Sequence, residues 1–443
     1  MATVLIADKL PQSTIQMLSE AGYEVDNRPG LSPEELKEAL RDVEGVICRS
    51  GAKLSEEVLS EANKLKAICR AGVGVDNIDI PAASRSGVVV MNTPGANTIS
   101  TAEHTFALIL ALSRNVGPAY ISMRAGRWDR KKFTGSQLAG TTLGVIGLGR
   151  VGRAVASRAK AFDMKVVGQD PYISRETASK LGIRLAGDME EVLQECDYLT
   201  VHVPVNDETR GLIGAEQIEL MQPSAFIVNC ARGAVMDQNA VVEAVQAGHL
   251  AGAAFDVYEK EPPEDFAFAH DDRILATPHL GASTTAAQQA VGAQAADQLI
   301  DALQEGHFRN ALNITSVPPE QMDALQPLCE LVRKMGKLAG HLNRGRPDSI
   351  EVNCRGDVAE SDITPVVHYG AMGVLQSTLG RSVNIVSAPH LVIRRADWFG
   401  REKDLLMADG RVLELADHDP ARSFGDAEVV EAHGAVLLPS LVD

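Results

Sequence analysis

Four short segments of this 443-residue chain combine residue types and spacings that could do chemistry. The first is a glycine turn, Gly147-x-Gly149-x-x-Gly152, set between an apolar run and a helix pattern. In such a turn the first glycine permits the tight bend. The second lets backbone N–H groups approach a pyrophosphate, and the third lets helix pack closely on strand. The helix amino terminus that follows offers free donors and a favourable dipole. The next strand, KVVGQD, ends in Asp170, 18 residues past Gly152. A carboxylate there can bind a ribose 2′-OH and repel a 2′-phosphate, which favours NAD over NADP.

The other three segments each end an apolar run with polar residues. They are Cys230-Ala231-Arg232-Gly233, then Asp256 to Pro262 with Glu261, then Pro278-His279-Leu280-Gly281. Ligands of an open α/β sheet bind at the carboxyl ends of its strands. Oxidising a 2-hydroxy acid needs a base for the hydroxyl proton, a cation for the carboxylate and a hydride acceptor. Histidine suits the first task because its pKa lies near neutrality. A carboxylate beside it would favour the imidazolium and fix the ring, and arginine can hold a carboxylate with two parallel hydrogen bonds. Taken one at a time, a structural histidine, a surface ion-pair arginine and a solvated loop acid explain the same residues. Spacing alone does not bring them together.

The elements that must position these residues alternate between strand and helix. TVLIAD, YEVD, GVICRS, LKAICRAG and GVVVMNTPG read as strands. Between them Ser32 caps a helix with Pro33 at its first position and Glu35 closing a capping box. Ser100-Thr101-Ala102-Glu103 fits a second capping box, opening a long helix whose pattern runs to Gly126. From Thr141 a second α/β series begins, with strands at TTLGVIG, KVVGQD, YLTVHVP, AFIVNCA, GAAFDV and ILATP, and a helix from about Ser283 to Glu305 closes it. Such alternation predicts parallel sheets. The fold class expected is α/β, a Rossmann NAD-binding domain inserted in a flavodoxin-like α/β substrate domain. A partial α+β domain, which the resemblance described below implies is an intervening domain, and a β-rich tail would follow. The boundaries expected are 1–98 with 284–312 for the substrate domain, 99–283 for the Rossmann domain, 313–391 for the partial α+β domain, and 392–443 for the tail.

Composition narrows the partners. There are 42 Lys+Arg against 59 Asp+Glu, a formal net charge of −17. Nucleic-acid binders carry a basic surplus, so DNA and RNA are not expected. The longest apolar stretch near a predicted helix, Phe106 to Leu112, is far short of the ~20 residues a membrane span needs. Six cysteines without a C-x-x-C pair read as free thiols of a reducing cytoplasm, and no metal site is expected.

The segments GLGRVGR, NCARGAVMD, AAFDVYEKEPP and TPHLGAST together resemble the D-isomer-specific 2-hydroxyacid dehydrogenases. CRSGAK, CRAGVGVDNIDI, NTPGANTISTAEH, GRWDRKKFTGSQL and NIVSAPHL extend the likeness, from about residue 3 to 391, to the branch of that family that acts on 3-phospho-D-glycerate. The resemblance implies NAD-dependent oxidation of 3-phospho-D-glycerate to 3-phosphooxypyruvate, the first step of L-serine biosynthesis. The alternatives are another D-2-hydroxy acid such as glycerate, or an NAD-sensing binding protein. It implies His279 as acid/base, Glu261 as its partner, and Arg232 on the substrate carboxylate. The cofactor contacts it implies are Arg150 and Val151 at the pyrophosphate, Asp170 at the ribose, and Val203-Pro204 near the adenine. Cys230 and Ala231 would lie along the nicotinamide, Asp256 would bind the carboxamide, and Val73 and Gly281 would complete the set. Near substrate it places Arg49, Ser50, Arg70, Gly74 and Asn92, and Arg130 or Lys131 from a neighbouring region. A homodimer or homotetramer in the cytoplasm follows from the same likeness.

The likeness to that branch stops within the intervening domain, so a serine-binding regulatory domain is not expected. The last stretch, DLLMADGRVLELA and DAEVVEAHGAVLLPSLVD, resembles the first strands of amidohydrolases such as dihydroorotases. It has no H-x-H, so hydrolysis, which needs convergent zinc ligands, is not expected of it.

Overall fold

A computed structural model describes residues 2–304, 306–314, 319–342, 349–352, 354, 362–379 and 383–389, together with four strands beyond residue 400. The chain divides into two compact units, Met1–Pro94 with the residues from Gly292 onward, and Gly95–Val291.

The first unit carries five parallel strands, β1 (Thr3–Ile6), β2 (Glu24–Asn27), β3 (Gly45–Cys48), β4 (Ala67–Arg70) and β5 (Val89–Asn92), in the order β2-β1-β3-β4-β5. β3 and β5 are buried along their whole length. That is why they read as continuous apolar runs rather than alternating ones. The helix Pro33–Ala39 starts as expected, with Ser32 and Glu35 in a capping box and Pro33 at its first position. The sheet reverses direction of winding between β1 and β3. Cys48 pairs with Arg70 and Arg70 with Asn92, so the carboxyl ends of β3, β4 and β5 are level. The helix Thr285–Gln304 sits against this sheet, with Leu299 and Leu303 side chains close over Gly45.

The second unit carries seven parallel strands, β6 (Thr142–Ile146), β7 (Lys165–Gln169), β8 (Arg184–Leu185), β9 (Tyr198–Val201), β10 (Phe226–Asn229), β11 (Gly252–Phe255) and β12 (Ile274–Ala276). Their order is β12-β11-β10-β9-β6-β7-β8, doubly wound about the β6/β9 pair. The Rossmann and flavodoxin-like architectures are both present.

One helix departs from its sequence pattern. It begins at Thr98 rather than near Ser100 and ends at Ser113. Ser100 and Glu103 form no box: the Ser100 and Thr284 hydroxyls lie 2.7 Å apart, and Glu103 pairs with Arg158. The pattern does not run on to Gly126, because Asn115 adopts φ 52°, a left-handed conformation that Asn tolerates better than most residues. A separate helix, Val116–Arg124, leaves at a bend of 67°. Among the described residues no single helix is long and apolar enough to cross a membrane.

Further on, two helices, Pro319–Leu342 and Thr364–Leu379, pack together. Their backbones touch at Gly336, Gly340 and Gly373, where an added Cβ would collide with the facing helix. β13 (Ser349–Glu351) pairs in parallel with β17 (Ala435–Leu437), and β14 (Lys403–Ala408) lies between β15 (Arg411–Asp417) and β16 (Val430–Glu431). The rest of the segment likened to amidohydrolases lies outside the described residues.

Candidate active site

The dinucleotide turn leaves β6 at the reversal of the second sheet. Its three glycines are required for three different reasons. Gly147 has φ 90° and faces the His202 backbone, so a side chain is strained there twice over. A Cβ on Gly152 would collide with the Gly147 carbonyl, so this glycine lets helix Arg150–Ala161 approach β6. Gly149 has an ordinary φ of −67°, and a Cβ there would meet no protein atom within 4 Å. Nothing in the fold asks for glycine at 149, so the reason lies with what approaches it from outside. No side chain caps the helix that starts at Arg150. Exposed Arg150 and half-buried Val151 stand at this open terminus, which fits a pyrophosphate.

Asp170 is held beside the turn. Its carboxylate accepts hydrogen bonds from Leu148 N (2.7 Å) and Tyr172 N (2.8 Å), which braces the turn. Val203 and Pro204 follow β9, whose Val201 pairs with Ile146 of β6, so they stand across the winding reversal from the glycines. His202 donates its backbone N–H to Ile146 O, and its ring lies 3.0 Å from the Thr200 hydroxyl. Burial pushes this imidazole down to about 4.

The three candidate catalytic residues come from loops after β10, β11 and β12, whose ends are level. His279 Nδ1 and Glu261 Oε2 are 2.7 Å apart, both partly exposed. Burial raises the Glu261 pKa. The bonds from His279 and Tyr258 N, with the charges of His279 and Arg232, outweigh it and hold the carboxyl below its ordinary range. Since an ionised carboxylate only accepts, Nδ1 is the donor in this pair, and it is Nε2 that carries the lone pair whenever the ring is neutral. His279 has φ 53°. Its backbone N–H donates to Asp256 O (2.9 Å), and the two N–H groups after it, Leu280 (2.7 Å) and Gly281 (2.8 Å), donate to the Asp256 carboxylate.

Asp256 is 1% exposed, and the Thr277 hydroxyl (2.6 Å) and His104 Nε2 (3.1 Å) complete its surroundings. Burial works to raise its pKa, and these bonds together bring it below the ordinary value. Three partners crowd Oδ1 and one, Gly281 N, sits on Oδ2. Asn229, buried at the end of β10, accepts from Ala231 N and donates to Arg232 O. Gly233 lets the Arg232 loop touch the Tyr258–Glu259 backbone, where a Cβ would collide. Arg232 Nη1 donates to Ala231 O at 2.7 Å. Cys230 is buried, which pushes its thiol up to about 12 and leaves it no nucleophile. His104, Asn229, Tyr258 and Thr277 were not singled out from the sequence. Only Asn229 left a signal, as a polar residue closing an apolar run.

In the first unit, Arg70 is the last residue of β4, and Arg49, Ser50, Val73 and Gly74 lie in the loops that follow β3 and β4. Asn92 ends β5. It is buried, its side-chain amide donates to Val73 O (2.7 Å), and its backbone carbonyl accepts from the buried Gln298 (3.0 Å), so it braces the Val73 loop. Arg130 and Lys131 are not brought to the catalytic loops. They lie in the exposed turn Arg130–Phe133, whose Lys132 pairs with Asp272 just before β12, at the amino edge of the sheet. A cavity of about 340 Å³ at that edge, lined by Ser113, Asn115, Phe226 and Arg273, contains none of the catalytic residues. Among the described residues no cluster of His, Cys, Asp and Glu could hold a metal ion.

Residues 106–281 match the family model of the D-isomer specific 2-hydroxyacid dehydrogenase NAD binding domain, and residues 324–397 that of the D-3-phosphoglycerate dehydrogenase intervening domain. Over 395 residues the chain is 42% identical to the D-3-phosphoglycerate dehydrogenase of Methanocaldococcus jannaschii, covering 89% of this chain and 75% of that one. The chain belongs to the D-3-phosphoglycerate dehydrogenase family. The Archaeoglobus fulgidus member is also 42% identical, over 88% of this chain and 74% of its own. Among solved structures, the NAD+-bound 3-phosphoglycerate dehydrogenase of Entamoeba histolytica matches with a TM-score of 0.61 at 29% identity, over 70% of this chain and 98% of that one. The family's cofactor is NAD, and the second unit is its NAD binding domain.

Proposed function

We propose that this protein oxidises 3-phospho-D-glycerate to 3-phosphooxypyruvate with NAD, opening a route to L-serine. The observation that carries the reading is the 2.7 Å His279–Glu261 pair on the Rossmann unit of a chain 42% identical to named phosphoglycerate dehydrogenases. NAD, when bound, supplies the acceptor for the hydride leaving C2. His279 Nε2 takes the proton of the C2 hydroxyl, and Glu261 stabilises the imidazolium that results. Arg232 holds the substrate carboxylate and polarises the reacting oxygen. The Asp256 carboxylate fixes the catalytic loop and offers Oδ2 to the nicotinamide carboxamide. Arg49 and Arg70, with the backbone of Ser50 and Gly74, take the phosphate.

The test is NADH formation by the purified full chain from 3-phospho-D-glycerate and from glycerate. Preference for glycerate would sink the reading. We place the reaction in the cytoplasm, in keeping with free thiols at all six cysteines. We also propose a homo-oligomer, because the helix Val116–Arg124 leaves Val116, Tyr120, Ile121 and Met123 exposed, with Trp128 beyond it. Light scattering that gave a monomer would remove this part.

A further inference from the structure

In an open parallel sheet the crevice that binds a ligand lies where the winding reverses, outside the carboxyl ends of the strands. In the first unit that point falls between β1 and β3. The chain leaves β1 at Ala7-Asp8 and leaves β3 at Arg49-Ser50-Gly51-Ala52.

Two side chains grip this second loop from opposite sides. The Asp8 carboxylate Oδ2 accepts the N–H of Arg49 at 2.7 Å and of Ala52 at 3.1 Å. The Asn77 amide donates to the carbonyls of the same two residues, Arg49 O at 2.7 Å and Ala52 O at 2.6 Å. Arg49 is therefore fixed at both its N–H and its C=O, with only its side chain left to move. The other Asp8 oxygen lies so close over Gly51 that a Cβ there would collide with it, so glycine at 51 is a consequence of the grip. Between the held ends, among the described residues, no hydrogen bond engages Ser50 N–H or Gly51 N–H. Two adjacent unused amide donors beside an arginine make a concavity that suits an anion. One strand over, the Arg70 guanidinium folds back against Gly72, so the second arginine is also close to the backbone it leaves.

A carboxylate beside an anion site would be unfavourable if its charge faced the ligand. Here Oδ2 is turned onto two backbone N–H groups and Oδ1 lies over the Cα of Gly51, so the carboxylate is spent on holding the loop and its effect is on geometry. We propose that Asp8 and Asn77 are positioning residues that set specificity for the substrate phosphate, by holding the Arg49–Ala52 loop with Ser50 and Gly51 N–H presented to it. The proposal rests on the reading that Arg49 and Ser50 meet the phosphate. It assigns phosphate discrimination to two residues that need never touch the substrate.

The experiment uses the full chain and steady-state kinetics with 3-phospho-D-glycerate, glycerate and NAD. Asp8→Ala and Asn77→Ala each raise KM for phosphoglycerate about tenfold or more, the scale of a misplaced charge-assisted hydrogen bond, while KM for glycerate and for NAD stays within about twofold. Asp8→Asn keeps an acceptor oxygen in the Oδ2 position without the charge, and it restores the phosphoglycerate KM. Equal rises for both acids, or no rise in either alanine variant, overturn the proposal. So does an Asp8→Asn protein as poor as Asp8→Ala, since the charge and not the grip would then matter. If Asp8→Ala does not fold, Asn77→Ala and Asp8→Asn decide the matter in the same way. A wild type that ignores phosphoglycerate refutes the functional reading, and this proposal with it. A wild type that uses it, with variants that do not differ, refutes this proposal alone.

Discussion

On the proposed reading, the two parallel sheets meet one problem, holding an anion at a winding reversal, with different materials. At the β6/β9 reversal the second unit uses backbone: three glycines within six residues and an uncapped helix terminus. Near the β1/β3 reversal the first unit, on the reading proposed above, adds side chains to the Ser50 and Gly51 N–H groups: Asp8 and Asn77 hold the loop after β3, and Arg49 and Arg70 supply charge. A backbone site suits an unvarying ligand, because no single side chain can retune it. A side-chain site can be altered one residue at a time. The proposed function divides the common cofactor and the particular substrate between them accordingly.

The comparison is tested hardest at the chemistry. His279→Gln removes the base and lowers kcat/KM by about 10²–10⁴-fold, with NADH binding to the second unit retained. NADH fluorescence separates the two effects, and loss of NADH binding would mean that His279 builds the cofactor site instead. Arg49→Ala comes next. It raises KM for 3-phospho-D-glycerate by about 10–100-fold, from the loss of one charge-assisted contact, and leaves glycerate turnover nearly unchanged. Equal losses on both acids would erase the division of labour. The glycines then separate from one another. Gly152→Ala costs about 1–3 kcal/mol of stability by overpacking helix on strand. Gly149→Val leaves the denaturation midpoint unchanged and weakens NADH binding about tenfold or more. If both variants lost only stability, the turn would be structural throughout.

The same contrast explains what was legible in the sequence. The glycine turn is local, so its residues, its strand and its helix could be read together, and the alternation of strand and helix gave both sheets. The His279, Glu261 and Arg232 loops each showed as polar residues closing apolar runs, but their convergence is set by strand order, which spacing does not encode. The braces were hidden for the same reason. Asp8 and Asn77 lie far apart in sequence yet hold one loop, and His104 sits inside an otherwise apolar helix pattern with its ring turned to Asp256. The resemblance places Asn92 near substrate, and its burial and its bond to Val73 O, which no sequence pattern marks, make it a brace of that loop as well. The helix after Pro94 was read as continuous because its apolar pattern carries across Asn115, and a left-handed residue leaves no mark in hydropathy.

The smallest expected effect concerns pH, and it also separates the two reversals. His202 stands at the β6/β9 reversal with its imidazole pushed down to about 4 by burial. Its unfolded value is near 6.5, so below that pH the unfolded chain binds a proton that the folded ring refuses. Stability contributed by the neutral ring is therefore full above about pH 7 and declines as pH falls from about 6.5 toward 4. Between pH 7 and pH 5 the loss is about 1–2 kcal/mol. Urea unfolding at the two pH values measures it, and His202→Asn should flatten the difference. The second unit, whose cofactor turn packs directly on the His202 backbone, should then lose NADH binding on acidification before the first unit loses its fold. If the pH dependence survived in His202→Asn, another group would have to carry it, and the backbone-built reversal would be no more acid-sensitive than the side-chain-built one.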